Sequence, residues 1–158
     1  MEDYEKSYLG QLRRMVGNRK VIITAARAVI RDQDDRVLFI RRRDNGHWGM
    51  PAGSQELDES ILECLKREVK EETGLDVISA APMAVYSNLS IVTTFQDPYH
   101  LFLVQFLVEH WSGELVLETN ETTDARFFSL DALPEDLGDF YYAVIEDIRS
   151  YDGELILK

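Results

Sequence analysis

Residues 53–75 read G-S-Q-E-L-D-E-S-I-L-E-C-L-K-R-E-V-K-E-E-T-G-L, and the second half of this stretch specifies a helix at both ends. Ser60 and Glu63 have the spacing of a capping box, in which each side chain satisfies the other residue's backbone amide. Gly74 stands where a left-handed residue ends a helix, so the stretch predicts a helix over residues 61–73. At about 100° of rotation per residue, Ile61, Leu62, Leu65 and Val69 form one apolar stripe expected to face a sheet. Glu68, Glu71 and Glu72 follow the i, i+3, i+4 spacing and gather beside that stripe. Like charges on one turn raise their own pKa values unless a cation lies among them, and Arg67 offsets only part of this. Hard divalent cations prefer carboxylate oxygens, and magnesium keeps several waters while bridging protein to phosphate. The three glutamates are therefore candidate magnesium or manganese ligands. A bare Glu-x-x-Glu-Glu also fits a solvated acidic face with ion pairs such as Arg67–Glu71.

Outward from this helix, the upstream chain is rich in strand-like runs. Lys20 to Ile30 and Arg36 to Arg42 read as strands, with Asp32 to Asp35 between them suggesting a hairpin. Asp44 to Gly53 reads as a loop. Tyr4, Tyr8, Leu12 and Met15 recur at helical spacing before Gly17, which predicts an amphipathic helix over residues 3–16. Downstream, strands are expected at Val77 to Val85, His100 to Glu109, Glu114 to Leu117 and Ala125 to Leu130, with a closing helix from Asp139 to Tyr151. Strands, one helix, more strands and flanking helices make a mixed sheet with helices packed on it, an α/β class. No repeat or linker divides the 158 residues, so one domain over 1–158 is expected, with 1–17 its N-terminal helix.

Composition narrows the partners. The net charge is −12, with 29 acidic against 17 basic residues. Such a field repels polyphosphate backbones and argues against nucleic acid, while a phosphorylated small molecule is acceptable where a metal inverts the local charge. A single cysteine, Cys64, fits a reducing compartment. With no long apolar segment and an acidic start lacking signal-peptide features, the expectation is a cytoplasmic protein off the membrane.

Gly53, Glu59, Arg67, Glu68, Val69, Glu71, Glu72, Gly74 and Leu75 fit the pattern G-x5-E-x7-R-E-U-x-E-E-x-G-U, U being aliphatic. This resembles the signature of the Nudix (MutT-like) hydrolases. The approach Trp48-Gly49-Met50-Pro51-Ala52-Gly53 is also similar, with Ala52 where members often carry a second glycine. The resemblance implies an α/β/α sandwich in which the loop-helix-loop is a metal platform. It assigns Glu68, Glu71 and Glu72 as ligands of Mg2+ or Mn2+, with the Gly53 carbonyl a further one, and Glu59 with Arg67 as a supporting salt bridge. It implies hydrolysis of the diphosphate linkage in a nucleoside diphosphate derivative, with Glu71, Glu72 or Glu121 as catalytic carboxylates.

Outside the signature, Glu121 lies in the polar stretch before the Ala125 strand and is the preferred candidate for a base or extra ligand. Arg41 and Arg43 share a strand face and, with Arg27, are candidate phosphate-binding groups; Trp48 is a candidate for stacking on a base. The preferred substrate is ADP-ribose or another nucleotide sugar. Alternatives are a nucleoside triphosphate, oxidised ones included, or a non-catalytic nucleotide-binding module. The aromatic N-terminal helix suggests a seat for a homodimer.

Overall fold

The computed structural model describes residues 2–92, 96–138 and 140–158. Strand β1 (Val21–Ile30) is central. It runs parallel to β6 (Pro98–Ser112), with Ile23 opposite Leu101 and Arg27 opposite Gln105, and antiparallel to the short β4 (Ala52–Ser54). β5 (Asp76–Val92) pairs antiparallel with β6 and parallel with β8 (Ile156–Leu157), giving the order β4-β1-β6-β5-β8. A second sheet has the order β3-β2-β7, from Trp48–Gly49, Val37–Arg42 and Thr122–Phe128. Helix α3 (Ile61–Thr73) covers one face and α4 (Phe140–Ser150) the other. This is a mixed-sheet α/β sandwich.

Burial on both faces explains the unbroken apolar reading of β1. Ala26, Ala28 and Ile30 join the core under α3, with Leu65 and Val69, while Ala25 and Val29 join the core under α4, with Val144 and Ile148. Arg27 belongs to the second row by strand alternation.

Several expectations need correction. The turn at Asp32–Asp35 forms, because the Asp32 carboxylate accepts the Asp34 and Arg36 amides and Asp35 adopts a left-handed φ of 60°. It joins no hairpin, however. Both edges of β1 are already taken by β4 and β6, so a single Arg31–Val37 bridge remains and β2 pairs with β7. The N-terminal segment is two helices, α1 (Glu2–Lys6) and α2 (Tyr8–Val16), since extended Ser7 caps the second by accepting the Gly10 amide. Glu114 to Leu117 is no strand: it crosses the end of α3, where the Val116 amide donates to the orphan Thr73 carbonyl. The expected loop at 44–53 holds β3 and most of β4. The closing helix begins at Phe140; its expected first residue, Asp139, lies outside the described residues.

Candidate active site

Helix α3 matches its expected bounds, and both halves of its capping box are made, with Gly74 left-handed at its end. The buried face is rotated from the one expected. Leu62 is exposed, and Cys64 takes its place beside Leu65 and Val69. That rotation draws the next residues of the Cys64 row, Glu68 and Glu72, into the interior, at 8% and 2% exposure, while Glu71 stays at the surface. Glu121 arrives from the loop before β7. Thr119 Oγ1 accepts the Glu121 and Thr122 amides, and Thr122 Oγ1 donates to the Glu72 carbonyl, tying the loop to the helix. Oxygens of Glu68, Glu72 and Glu121 thus lie within 4.8 Å of one another.

Three carboxyl groups this close, two of them buried, favour a bound cation. Burial pushes the Glu68 carboxyl up to about 7, against the pull of Arg67 and with the charges of Glu71 and Glu121 adding to it. Burial first, and Glu68 next, raise Glu72 well above the ordinary carboxylate range, although the Ala52 amide donates to it at 2.9 Å. An all-oxygen set suits Mg2+ or Mn2+, and a bound ion would reverse these shifts. Gly53 makes the arrangement possible: a Cβ there would lie 2.0 Å from the Glu68 carboxyl carbon. Its carbonyl accepts a weak bond from Cys64 Sγ at 3.6 Å.

Arg67 supports the cluster from the side. It grips Glu59 with two nitrogens, at 2.7 and 3.0 Å, donates to the Ser54 carbonyl, and touches Glu68 at 2.6 Å and Glu71 at 3.3 Å. Its hydrogen bonds hold the Glu59 carboxyl below the usual range. Such a paired group orients its neighbours and is not itself available to a ligand.

The carboxylates open on a cavity of about 770 Å³ that Glu71 also lines. Its floor is the row Ile23, Ala25 and Arg27 beside Tyr99, Leu101 and Leu103. Tyr4 of α1, Leu9 of α2 and Ser7 between the two helices close one side, and Phe140 with Tyr141 of α4 another. The N-terminal helices are fixed there by Arg13, which donates to Tyr99, Pro98, Gly17 and Arg19. Their inner side thus lines this chain's own cavity.

Of the three arginines expected to bind phosphate, Arg27, Arg41 and Arg43, only Arg27 lines this cavity. Arg41 is exposed and donates to the Gly46 carbonyl, and Arg43 is held by Glu118 and the Thr119 and Thr122 carbonyls, steadying the Glu121 loop. The strand's other face was the relevant one. Arg42, paired with Asp44 and close enough to Glu72 to oppose its upward shift, lines the cavity where Arg41 and Arg43 do not. Trp48 also lies elsewhere, packed edge-on against Phe128 with ring centroids 5.1 Å apart.

A sandwich with a carboxylate cluster on a capped helix defines a class of fold found in solved structures. The MutT Nudix hydrolase of Burkholderia pseudomallei superposes with a TM-score of 0.68 at 26% identity, covering 80% of this chain and 98% of that one. A NUDIX domain family model matches residues 22–148, and the chain belongs to this family. It is 37% identical over 109 residues to the NAD-capped RNA hydrolase NudC of Pseudomonas aeruginosa, over 67% of this chain but only 36% of that protein. It is 33% identical over 108 residues to an ADP-ribose pyrophosphatase of Methanocaldococcus jannaschii, covering 66% of this chain and 60% of that one. The chain thus spans about a third of the length of NudC. Among the described residues, no helix is long and apolar enough to cross a membrane.

Proposed function

We propose that this protein hydrolyses the phosphoric anhydride linkage of a nucleoside diphosphate derivative, a nucleotide sugar such as ADP-ribose being the reference member. The observation that carries the proposal is the triad of carboxylates within 4.8 Å of one another at the wall of the cavity. Glu68, Glu72 and Glu121 would hold the divalent cation, with Glu71 and the Gly53 carbonyl beside them. A bound Mg2+ or Mn2+ supplies charge neutralisation of the diphosphate and a more acidic water.

The chain's own part is positioning and proton transfer. Arg42 sits at the cavity wall as a cation for phosphate oxygens. Glu121, exposed and on a loop, takes the proton of the attacking water. Oxygen of that water bonds to phosphorus, the bond from phosphorus to the bridging oxygen breaks, and two phosphomonoesters leave. The relatives' names point to NAD-capped RNA and ADP-ribose, which share such a linkage. A net charge of −12 disfavours the RNA chain and leaves the small molecule.

The test is phosphate release, after phosphatase treatment, from nucleotide sugars, dinucleoside polyphosphates and normal or oxidised nucleoside triphosphates with Mg2+, comparing wild type with Glu72→Gln. Turnover of one class, lost in the variant and abolished by chelation, is expected. Silence across the panel with ligand-induced thermal stabilisation would mean a binding module instead.

A further inference from the structure

The carboxylates enter the cavity at one corner of its floor. Glu68 and Glu72 lie against Gly53 and Ala52 of the edge strand β4, which pair with Ala26 and Arg27 of β1. Tyr99 and Ile91 mark the opposite corner, paired with each other across β6 and β5. The sheet order sets β1 and β6 between β4 and β5, a separation of about 14 Å. Along β1 the floor also runs about 13 Å from Arg27 back to Ile23, which lies opposite Leu101. A diphosphate held at the carboxylates therefore leaves the length of a nucleoside between itself and the Tyr99 corner.

Tyr4 reaches this corner from α1. Partial burial first, and the Tyr99 hydroxyl beside it next, hold Tyr4 above the ordinary phenol range, so it is an uncharged ring whose one polar atom is committed. Gly10 of α2 fixes where α1 lies, since a Cβ there would overlap the Tyr4 carbonyl. The second helix is in turn tied down by Arg13 and by the Tyr8 amide, which donates to Glu56 at 2.7 Å. The ring itself is left open. Tyr4 is 42% exposed, lines the cavity, and among the described residues no other ring or cation stacks on it. Phe140, the other exposed ring of the cavity, differs: Arg27 lies 5.0 Å from its centre, and Tyr86 and Tyr141 meet it edge-on. Around Tyr4 the floor and wall are apolar, formed by Ile23, Leu101 and the exposed Ile91.

We propose that Tyr4 is the stacking surface for the base of the nucleotide, and so a specificity-determining residue of this site. This rests on the hydrolase reading above and deepens it by assigning the two ends of the substrate, the diphosphate to the β4 edge and the base to the Tyr4 corner. A sugar placed there would lose water from hydroxyls that Ile23, Ile91 and Leu101 cannot replace, whereas a planar base would not. With the Tyr4 hydroxyl committed to Tyr99, only the ring face is offered, and every base has a face to stack on it. The family model covers residues 22–148, so the base meets an element that lies outside the family domain.

The test compares wild type, Tyr4→Leu and Tyr4→Phe on the nucleotide sugar that wild type hydrolyses best with Mg2+. The matching nucleoside monophosphate and ribose 5-phosphate serve as competing inhibitors, the second lacking only the base. Tyr4→Leu should raise KM about tenfold with kcat held, the size of a lost base–ring stack. It should weaken the nucleoside monophosphate by the same factor and leave ribose 5-phosphate unchanged. Tyr4→Phe keeps the ring and should restore the KM of wild type. An unchanged KM in Tyr4→Leu would overturn the proposal, as would both inhibitors weakened alike, or a Tyr4→Phe variant as impaired as Tyr4→Leu. Should no nucleotide be hydrolysed, calorimetric affinity for ADP with Mg2+ replaces KM. Weakening in Tyr4→Leu but not in Tyr4→Phe supports the stack without the hydrolase; any other pattern, or no binding, refutes it. Should Tyr4→Leu not fold, proton NMR contacts between wild type and ADP with Mg2+ decide. Base protons close to the Tyr4 ring support the stack, and their absence there refutes it.

Discussion

Arg13 and Arg27 are both buried arginines packed on tyrosine rings, and they are in opposite chemical states. Arg13 stacks 4.2 Å from the Tyr99 ring centre, hydrogen-bonds that hydroxyl and three carbonyls, and sits 3.7 Å from an Asp97 oxygen. Arg27 has uncharged partners, Gln105 Oε1 at 2.9 Å and the Tyr141 side chain, and among the described residues its Nη2 has none. The same division runs through the glutamates beside α3. Glu59 is doubly bonded to Arg67 with its carboxyl held acidic, whereas Glu68 and Glu72 are crowded and pushed up. Burial of charge alone does not mark a binding site. Burial with unmet demand does, and Arg27, Glu68 and Glu72 all border one cavity.

The largest effect should come from disturbing the under-satisfied side without touching the saturated one. Gly53→Ala would put a Cβ 2.0 to 2.2 Å from the atoms of the Glu68 carboxyl group, which is the end of a flexible side chain and must swing aside. A displacement of about an ångström in a reacting assembly costs on the order of a hundredfold in rate. Turnover should fall by that order while the melting temperature stays within a few degrees of wild type. An active Gly53→Ala would detach Glu68 from the chemistry.

How much of this the amino-acid sequence discloses depends on whether local signals and tertiary demand coincide. Around α3 they do, since the capping box and Gly74 act within one turn of the helix ends they set. Glu121 was legible as an acid in a late polar loop. Arg42 was not: alternation separates it from Arg41 and Arg43, but which face meets the cavity depends on the pairing of β2 with β7, which shifts register at Arg41/Arg42. Glu114 to Leu117 carries the apolar run of a strand, yet the orphan Thr73 carbonyl at the end of α3 claims the Val116 amide. The extent of β5 was hidden by Ser87 and Asn88, which read as breakers and are absorbed by the register shift between Tyr86 and Leu89.

The next effect sets the two arginines directly against each other. Arg13→Met strips the Tyr99 hydroxyl and three carbonyls of their donor and removes a cation that lies 3.7 Å from an Asp97 oxygen, a change of the kind that costs about 3 kcal/mol when a buried pair is broken. Its melting temperature should fall, and KM should rise with kcat held, because α2 walls the cavity. Arg27→Met replaces an under-partnered charge by an apolar chain of similar reach, which is neutral or stabilising at such sites. Its melting temperature should stay level or rise. Equal destabilisation in thermal melts of both variants would erase the distinction between the two arginines.

The smallest effect is in the pH dependence of the metal-free protein. Glu68 titrates at about 7 when folded, against an ordinary value of 4.5, so the folded chain binds more protons than the unfolded chain between these values. Stability is then highest below about 4.5 from this source and is lost as pH rises through about 7. Glu72, raised for the same reason, extends the loss upward. In chelator, the melting temperature should decline by a few degrees between pH 5 and 8. Millimolar Mg2+ should flatten the decline, because the ion favours the charged carboxylates that burial disfavours. Glu68→Gln should reduce the slope in chelator, whereas Glu59→Gln should lower the melting temperature without reducing the slope. A melting temperature that climbs with pH in chelator would show that Glu68 and Glu72 are as well compensated as Glu59, and would remove the physical argument for a cation among them.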